Sequence, residues 1–176
     1  MEQKEKNTIL IVDDDKANLL ELTHILQAEY KIFAAKSGEI ALERAMSSKP
    51  DLILLDIVMP GISGFEVLTE LKNTEGTKDI PVIFISGISK DNTESVGIIM
   101  GAADHIRKPF DAAGVKARVK HQMDIINLKR GLNRAVETLN KIHEIAMSMS
   151  KRTDLPTRVS DDVNAIIQAY EELGKG

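Results

Sequence analysis

Five side chains in this sequence could do chemistry together: Asp13, Asp14, Asp56, Ser86 and Lys108. Two adjacent acids follow the apolar run ILIV (9–12). A third, Asp56, ends DLILL (51–55) just before the chain breaks at Pro60, Gly61 and Gly64. A hydroxyl closes PVIFIS (81–86), and a lysine closes DHIRK (104–108). Three carboxylates at one edge repel each other and raise each other's pKa unless a cation neutralises them. Oxygen donors without His or Cys suit a hard divalent ion, and Mg2+ keeps waters while taking few protein ligands. A carboxylate beside such an ion can attack phosphorus and become an aspartyl phosphate. The group in transfer is anionic. Mg2+ and the Lys108 ammonium would stabilise it, and the Ser86 hydroxyl could donate to a phosphoryl oxygen. Gly87, next to Ser86, would leave room for the group to enter.

Each residue alone has a plainer reading. A strand-end acid is most often a turn residue or a helix cap, and Asp15 fits a cap for the helix starting near Lys16. A lone Ser86 reads as structural and a lone Lys108 as a solvated charge. What argues for chemistry is the combination, one group at the carboxyl end of each of several strands.

The elements that must position them alternate. TILIV (8–12), KIFAA (31–35), DLILL (51–55), PVIFIS (81–86) and DHIRK (104–108) read as strands. Helical periodicity runs over about 15–27, 37–48, 63–73 and 89–100, and again from about 111. The strands are continuously apolar, as in a parallel sheet covered on both faces. The pattern predicts a doubly wound α/β domain with function at the carboxyl ends of its strands.

IVDDD (11–15), LLDIVMPGISG (54–64), PVIFISG (81–87) and GAADHIRKPF (101–110) together resemble the receiver domain of bacterial two-component response regulators, over about residues 7–122. The resemblance implies a flavodoxin-like five-stranded sheet in the order 2-1-3-4-5. It also implies Asp56 as phosphoacceptor, with Asp13, Asp14, Asp56 and the Val58 backbone carbonyl as Mg2+ ligands. Ser86 becomes the switch hydroxyl and Lys108 the phosphate-pairing lysine, joined to Pro109 by a peptide bond that the family usually makes cis. Three residues before that lysine, where the family commonly has Tyr or Phe, this chain has His105. Its ring can still rotate between outward and inward positions, but it is more polar and can charge near neutral pH. An exposed ring with no switching role is the competing reading. Val58 and Ile88 take positions that, in the family, govern attack of water on the acyl phosphate. Neither apolar side chain would orient or activate that water, so a long phosphoryl lifetime is expected.

Bulk properties bound the rest. The chain has 176 residues, 43% apolar and 28% charged, and no cysteine, so disulfide and thiolate chemistry are excluded. The charge is −4 in total. Residues 1–110 hold 12 Lys/Arg against 18 Asp/Glu, whereas residues 111–176 hold 11 against 9. An acidic body with a nearly balanced tail argues against nucleic-acid binding. The longest apolar runs are too short to cross a bilayer, and MEQKEKNT lacks the apolar stretch of a signal peptide, so no membrane role and a cytoplasmic location are expected.

Three segments are expected: a receiver at 1–122, a coiled-coil helix at 123–150, and a loop with a short amphipathic helix at 151–176. Ile125, Leu132, Leu139 and Ala146 repeat every seven residues, as do Leu128, Ala135, Ile142 and Met149. That register predicts a parallel homodimer with Ile125, Leu128, Leu132, Leu139 and Ile142 along its seam. The alternative folds this helix back on a helix at 160–173, capped by Ser160, with Val163, Ile166, Ile167, Tyr170 and Leu173 on one face. Pro156 would stop the long helix. His143-Glu144 raises a phosphorelay histidine, although its surroundings do not fit a kinase box.

The leading expectation is a signalling switch that takes a phosphoryl group from a sensor histidine kinase. It catalyses only its own phosphorylation and dephosphorylation. An Asp-nucleophile phosphohydrolase would want a second Asp at position 58, where Val stands. An adaptor built on the tail, or the excised N-terminal part of a regulator with a catalytic output domain, are the other readings.

Overall fold

The five strands are short, and two of the inner ones, LILLD and VIFIS, are apolar until their last residue. In the computed structural model, which describes residues 6–87, 101–151 and 156–173, they are β1 (Thr8–Val12), β2 (Lys31–Ala35), β3 (Leu52–Asp56), β4 (Val82–Ser86) and β5 (Asp104–Arg107). They form one parallel sheet in the order β2-β1-β3-β4-β5. β3 and β4 are buried at every residue, while the edge strands β2 and β5 are only partly buried. This explains why the central strands can be apolar without alternation: both faces are covered.

Alternate residues serve opposite layers. Leu10, Val12, Ile53, Leu55, Val82 and Phe84 pack on one side with residues of α2 (Gly38–Ser48) and α3 (Gly64–Asn73). Ile9, Ile11, Leu52, Leu54, Ile83 and Ile85 face the other side, against α1 (Lys16–Leu26) and the beginning of α4 (Ala112–Ser150), through Leu19, Leu22, Val115 and Val119. Local signals start the helices where capping chemistry allows. Asp15 accepts from the Ala17 amide at 2.8 Å, Ser37 caps α2, and Ser63 with Glu66 forms a reciprocal capping box on α3. The helix expected at 89–100 lies outside the described residues.

The chain divides into two compact units, Met1–Ile126 and Asn127–Gly176. In the second, the later part of α4 is paired with α5 (Thr157–Leu173). α4 ends at Ser150, ahead of Pro156. α5 begins at Thr157 rather than at 160: the Pro156 carbonyl accepts from the amides of Val159 and Ser160 at 2.9 and 3.1 Å. Ser160 therefore sits inside the first turn instead of capping it, and its own amide is one of those bonded to the Pro156 carbonyl. His143 stacks on Tyr170 with ring centroids 4.1 Å apart, and the Tyr170 hydroxyl lies 2.5 Å from Asn140 Oδ1. Ala146 and Val163 are buried. Within the tail, then, the fold-back arrangement is present. His143 faces the hairpin partner, which is not how a phosphorelay histidine is offered to a kinase.

Candidate phosphoacceptor site

Parallel register carries the strand ends to one edge. Val12 pairs with Leu55, Asp56 with Ile85, and Ser86 with Arg107. Asp13, Asp56, Ser86 and Lys108 consequently leave four neighbouring strands on the same side of the sheet. Asp13 is fully buried and Asp56 almost so, whereas Asp14 is exposed. Carboxylate oxygens of Asp13, Asp14 and Asp56 all lie within 4.8 Å of one another. The Lys108 ammonium bridges two of them, 2.8 Å from Asp13 Oδ2 and 3.1 Å from Asp56 Oδ2.

The electrostatics follow from this packing. Burial pushes the Asp56 carboxyl above its ordinary range; the hydrogen bond from Lys108 works against that, and the charge of Asp13 adds to it. Burial rather than mutual repulsion is thus the larger cause at Asp56. For Lys108, burial lowers the pKa, but hydrogen bonds to Asp13 and Asp56 outweigh it and the net shift is upward. The ammonium stays charged.

Could these residues hold a metal? The donors are oxygen only, converge on one notch and carry excess negative charge, and at least one is solvent-accessible. That donor set fits a hard divalent cation such as Mg2+.

Backbone contacts hold the notch in place. The Lys108 amide donates to the Ser86 carbonyl at 2.8 Å, and the Lys108–Pro109 peptide bond is cis. Ser86 is buried. Among the described residues, a side chain on Gly87 would meet nothing nearer than the Lys108 Cβ at 4.0 Å. Val58 lies on the loop after β3 with its side chain 62% exposed, and Ile88 falls outside the described residues. His105, on β5 opposite Phe84, is half-buried rather than exposed. Its amide donates to Asp104 Oδ1 at 2.7 Å, and the same oxygen accepts from Arg118 at 2.6 Å. His105 lines a groove of about 430 Å³ with Arg107, Pro109, Val115 and Arg118.

The sequence marks Gly64 only as a break in the chain, and Asn18 escaped the sequence reading altogether. A Cβ on Gly64 would come within 2.2 Å of the Asp56 carbonyl oxygen. Only glycine lets α3 start against the end of β3, where the Gly64 amide donates to the Ile57 carbonyl at 2.9 Å. Asn18, in the first turn of α1, places its amide nitrogen 3.1 Å from each oxygen of Asp13. An amide one helical turn beyond an acidic pair is the signal that could have found it.

Residues 9–120, more than half of the chain, match the response regulator receiver domain. The chain belongs to that family. A protein of Vibrio cholerae serotype O1 named as a probable cyclic di-GMP phosphodiesterase is 44% identical over 119 residues, which make up 68% of this chain and 27% of that protein. The response regulator PleD of Caulobacter vibrioides is 41% identical over 113 residues, 64% of this chain and 25% of PleD. Among solved structures, a two-component response regulator from Clostridium difficile superposes with a TM-score of 0.65 at 28% identity, covering 69% of this chain and 99% of that one. The chain thus spans about a quarter of the length of these two curated relatives. No described helix is long and apolar enough to cross a membrane.

Proposed function

We propose that this receiver accepts a phosphoryl group on Asp56 from the phosphohistidine of a sensor kinase. An Asp56 carboxylate oxygen attacks phosphorus, the P–N bond breaks, and the imidazole leaves with the bond's electron pair, taking up a proton from its surroundings. The observation that carries this reading is the pair of contacts from Lys108 to Asp13 and Asp56 inside a three-carboxylate notch. The chemistry that Mg2+ supplies, held by Asp13, Asp14, Asp56 and the Val58 carbonyl, is charge neutralisation and orientation of the phosphoryl oxygens. Lys108 exchanges a carboxylate partner for a phosphoryl oxygen, and Ser86 donates its hydroxyl to another. Movement of Ser86 toward the phosphoryl group draws His105 inward and alters the face it lines, shifting a two-state equilibrium. In the full chain incubated with acetyl phosphate and Mg2+, a single stable adduct is expected, absent in Asp56→Asn. Sustained multiple turnover would instead favour a phosphohydrolase.

The tail supports a second reading, a homodimer through the C-terminal helix. Leu128 and Leu132 are 74% and 65% exposed on a stripe of heptad spacing, an apolar surface that association would cover. The name of the Vibrio relative points to an enzymatic output as the kind of activity such a receiver governs in a whole protein.

A further inference from the structure

Asp13 has no exposed surface, so its charge must be held by hydrogen bonds. Its oxygens have about four acceptor sites. The Asp15 amide donates to Oδ1 at 2.9 Å, Lys108 reaches Oδ2 at 2.8 Å, and the Asn18 amide straddles both oxygens at 3.1 Å each. These donors are not equivalent. Lys108 stands between Asp13 and Asp56, in the notch a divalent cation would need, and carries a charge that competes with that cation. Asn18 approaches from α1 and is neutral. It fixes the rotation of the carboxylate without cancelling its charge.

We infer that Asn18 is a positioning residue for Mg2+ capture, keeping Asp13 oriented when Lys108 turns to the phosphoryl group. This rests on the Mg2+-dependent phosphoacceptor reading above. A cation at position 18 would neutralise Asp13. An apolar residue would remove the one neutral side-chain donor, among the described residues, that fixes its rotation, leaving the Asp15 amide to hold it once Lys108 turns away. Groups that orient a metal ligand without touching the metal typically change affinity by about 10- to 100-fold when removed.

The test is calorimetric titration of the full chain with MgCl2, alongside initial rates of labelling by acetyl phosphate across Mg2+ concentrations. Asn18→Leu keeps the size and removes the donor; Asn18→Ala makes no demand on space. Both are expected to weaken Mg2+ binding by about tenfold, while the labelling rate at saturating Mg2+ changes less than a few-fold. A residue that only steadied α1 would lower thermal stability and leave Mg2+ affinity alone. Wild-type affinity in both variants overturns the inference and leaves the phosphoacceptor reading standing. If the wild-type chain itself takes up no Mg2+, the metal reading falls and the role of Asn18 with it.

Discussion

The receiver and the tail are built from the same kinds of residue but solve burial differently. In the receiver, two layers of helices close on a central sheet, and the largest side chains of β1, β3 and β4 are wholly removed from water. In the tail, two helices lie side by side, and only Ala146 and Val163 are buried among the described residues. A pair of helices offers each partner one stripe, so most of the apolar surface stays open: Leu128, Leu132, Ile145 and Leu173 are all at least 60% exposed. A small apolar cavity of about 180 Å³ remains between Leu139, Ile142, Ile166 and Tyr170. The receiver can hold an unfavourable buried acid such as Asp56 because its core is large enough to tolerate the cost. The tail has no such reserve, and its open stripe is what association would cover.

The contrast should break most visibly when apolar side chains are truncated. Leu54→Ala, in the sheet, is expected to cost about 2–5 kcal/mol. Leu132→Ala, in the tail, should stay within about 0.5 kcal/mol for the monomer. Chemical denaturation of both variants at low protein concentration measures the difference, and equal losses would show that the tail is packed as tightly as the receiver.

If the open stripe joins two copies, charge placed on it should sharpen the distinction in the opposite sense. The double variant Leu128→Lys, Leu132→Lys is expected to weaken self-association at least tenfold, since buried apolar anchors contribute more than about 1 kcal/mol each. Labelling of Asp56 should be unaffected. Sedimentation equilibrium over a range of concentrations reads the first, and acetyl phosphate incorporation the second.

A smaller effect concerns the buried acid itself. Without Mg2+, Asp56→Asn is expected to raise stability by about 0.5–2 kcal/mol, the usual range when a costly functional group is relieved. The sign depends on pH. The folded pKa of Asp56 lies above its unfolded value, so the ionised carboxylate destabilises the fold above the folded pKa, and that cost disappears as pH falls through it. The advantage of the variant should therefore shrink as pH is lowered through the carboxylate range. A gap that widened on acidification would contradict the burial argument. The least effect expected is on the lifetime of the phosphoryl group. With an apolar, exposed side chain at Val58, purified phosphoprotein should retain its label for many minutes, and Val58→Gln should shorten that a few-fold by positioning water. Loss of label within seconds from the unaltered chain would remove the basis for this expectation.

How much of this was legible beforehand differs between the two regions for a physical reason. Strand identity in the receiver rests on continuous apolar runs, and helix starts rest on Asp15, Ser37 and Ser63. These are short-range signals that a few neighbouring residues settle. The placement of Asp13, Asp56, Ser86 and Lys108 at strand ends comes from them directly. In the tail, one heptad stripe is compatible with a second copy or with the chain's own next helix. Periodicity says that a face is apolar but not what meets it.

The sequence by itself therefore determined the order of the described elements, the acidic and basic side chains at the carboxyl edge, and the amphipathic character of the C-terminal helices. Tertiary structure alone decided that Lys108 reaches two carboxylates at once and that Asn18 grips Asp13. It also decided that Gly64 must lie against the Asp56 carbonyl and that His143 turns toward Tyr170. Such contacts join residues from separate elements. Their distances depend on strand register and layer packing, which no local stretch of the chain encodes.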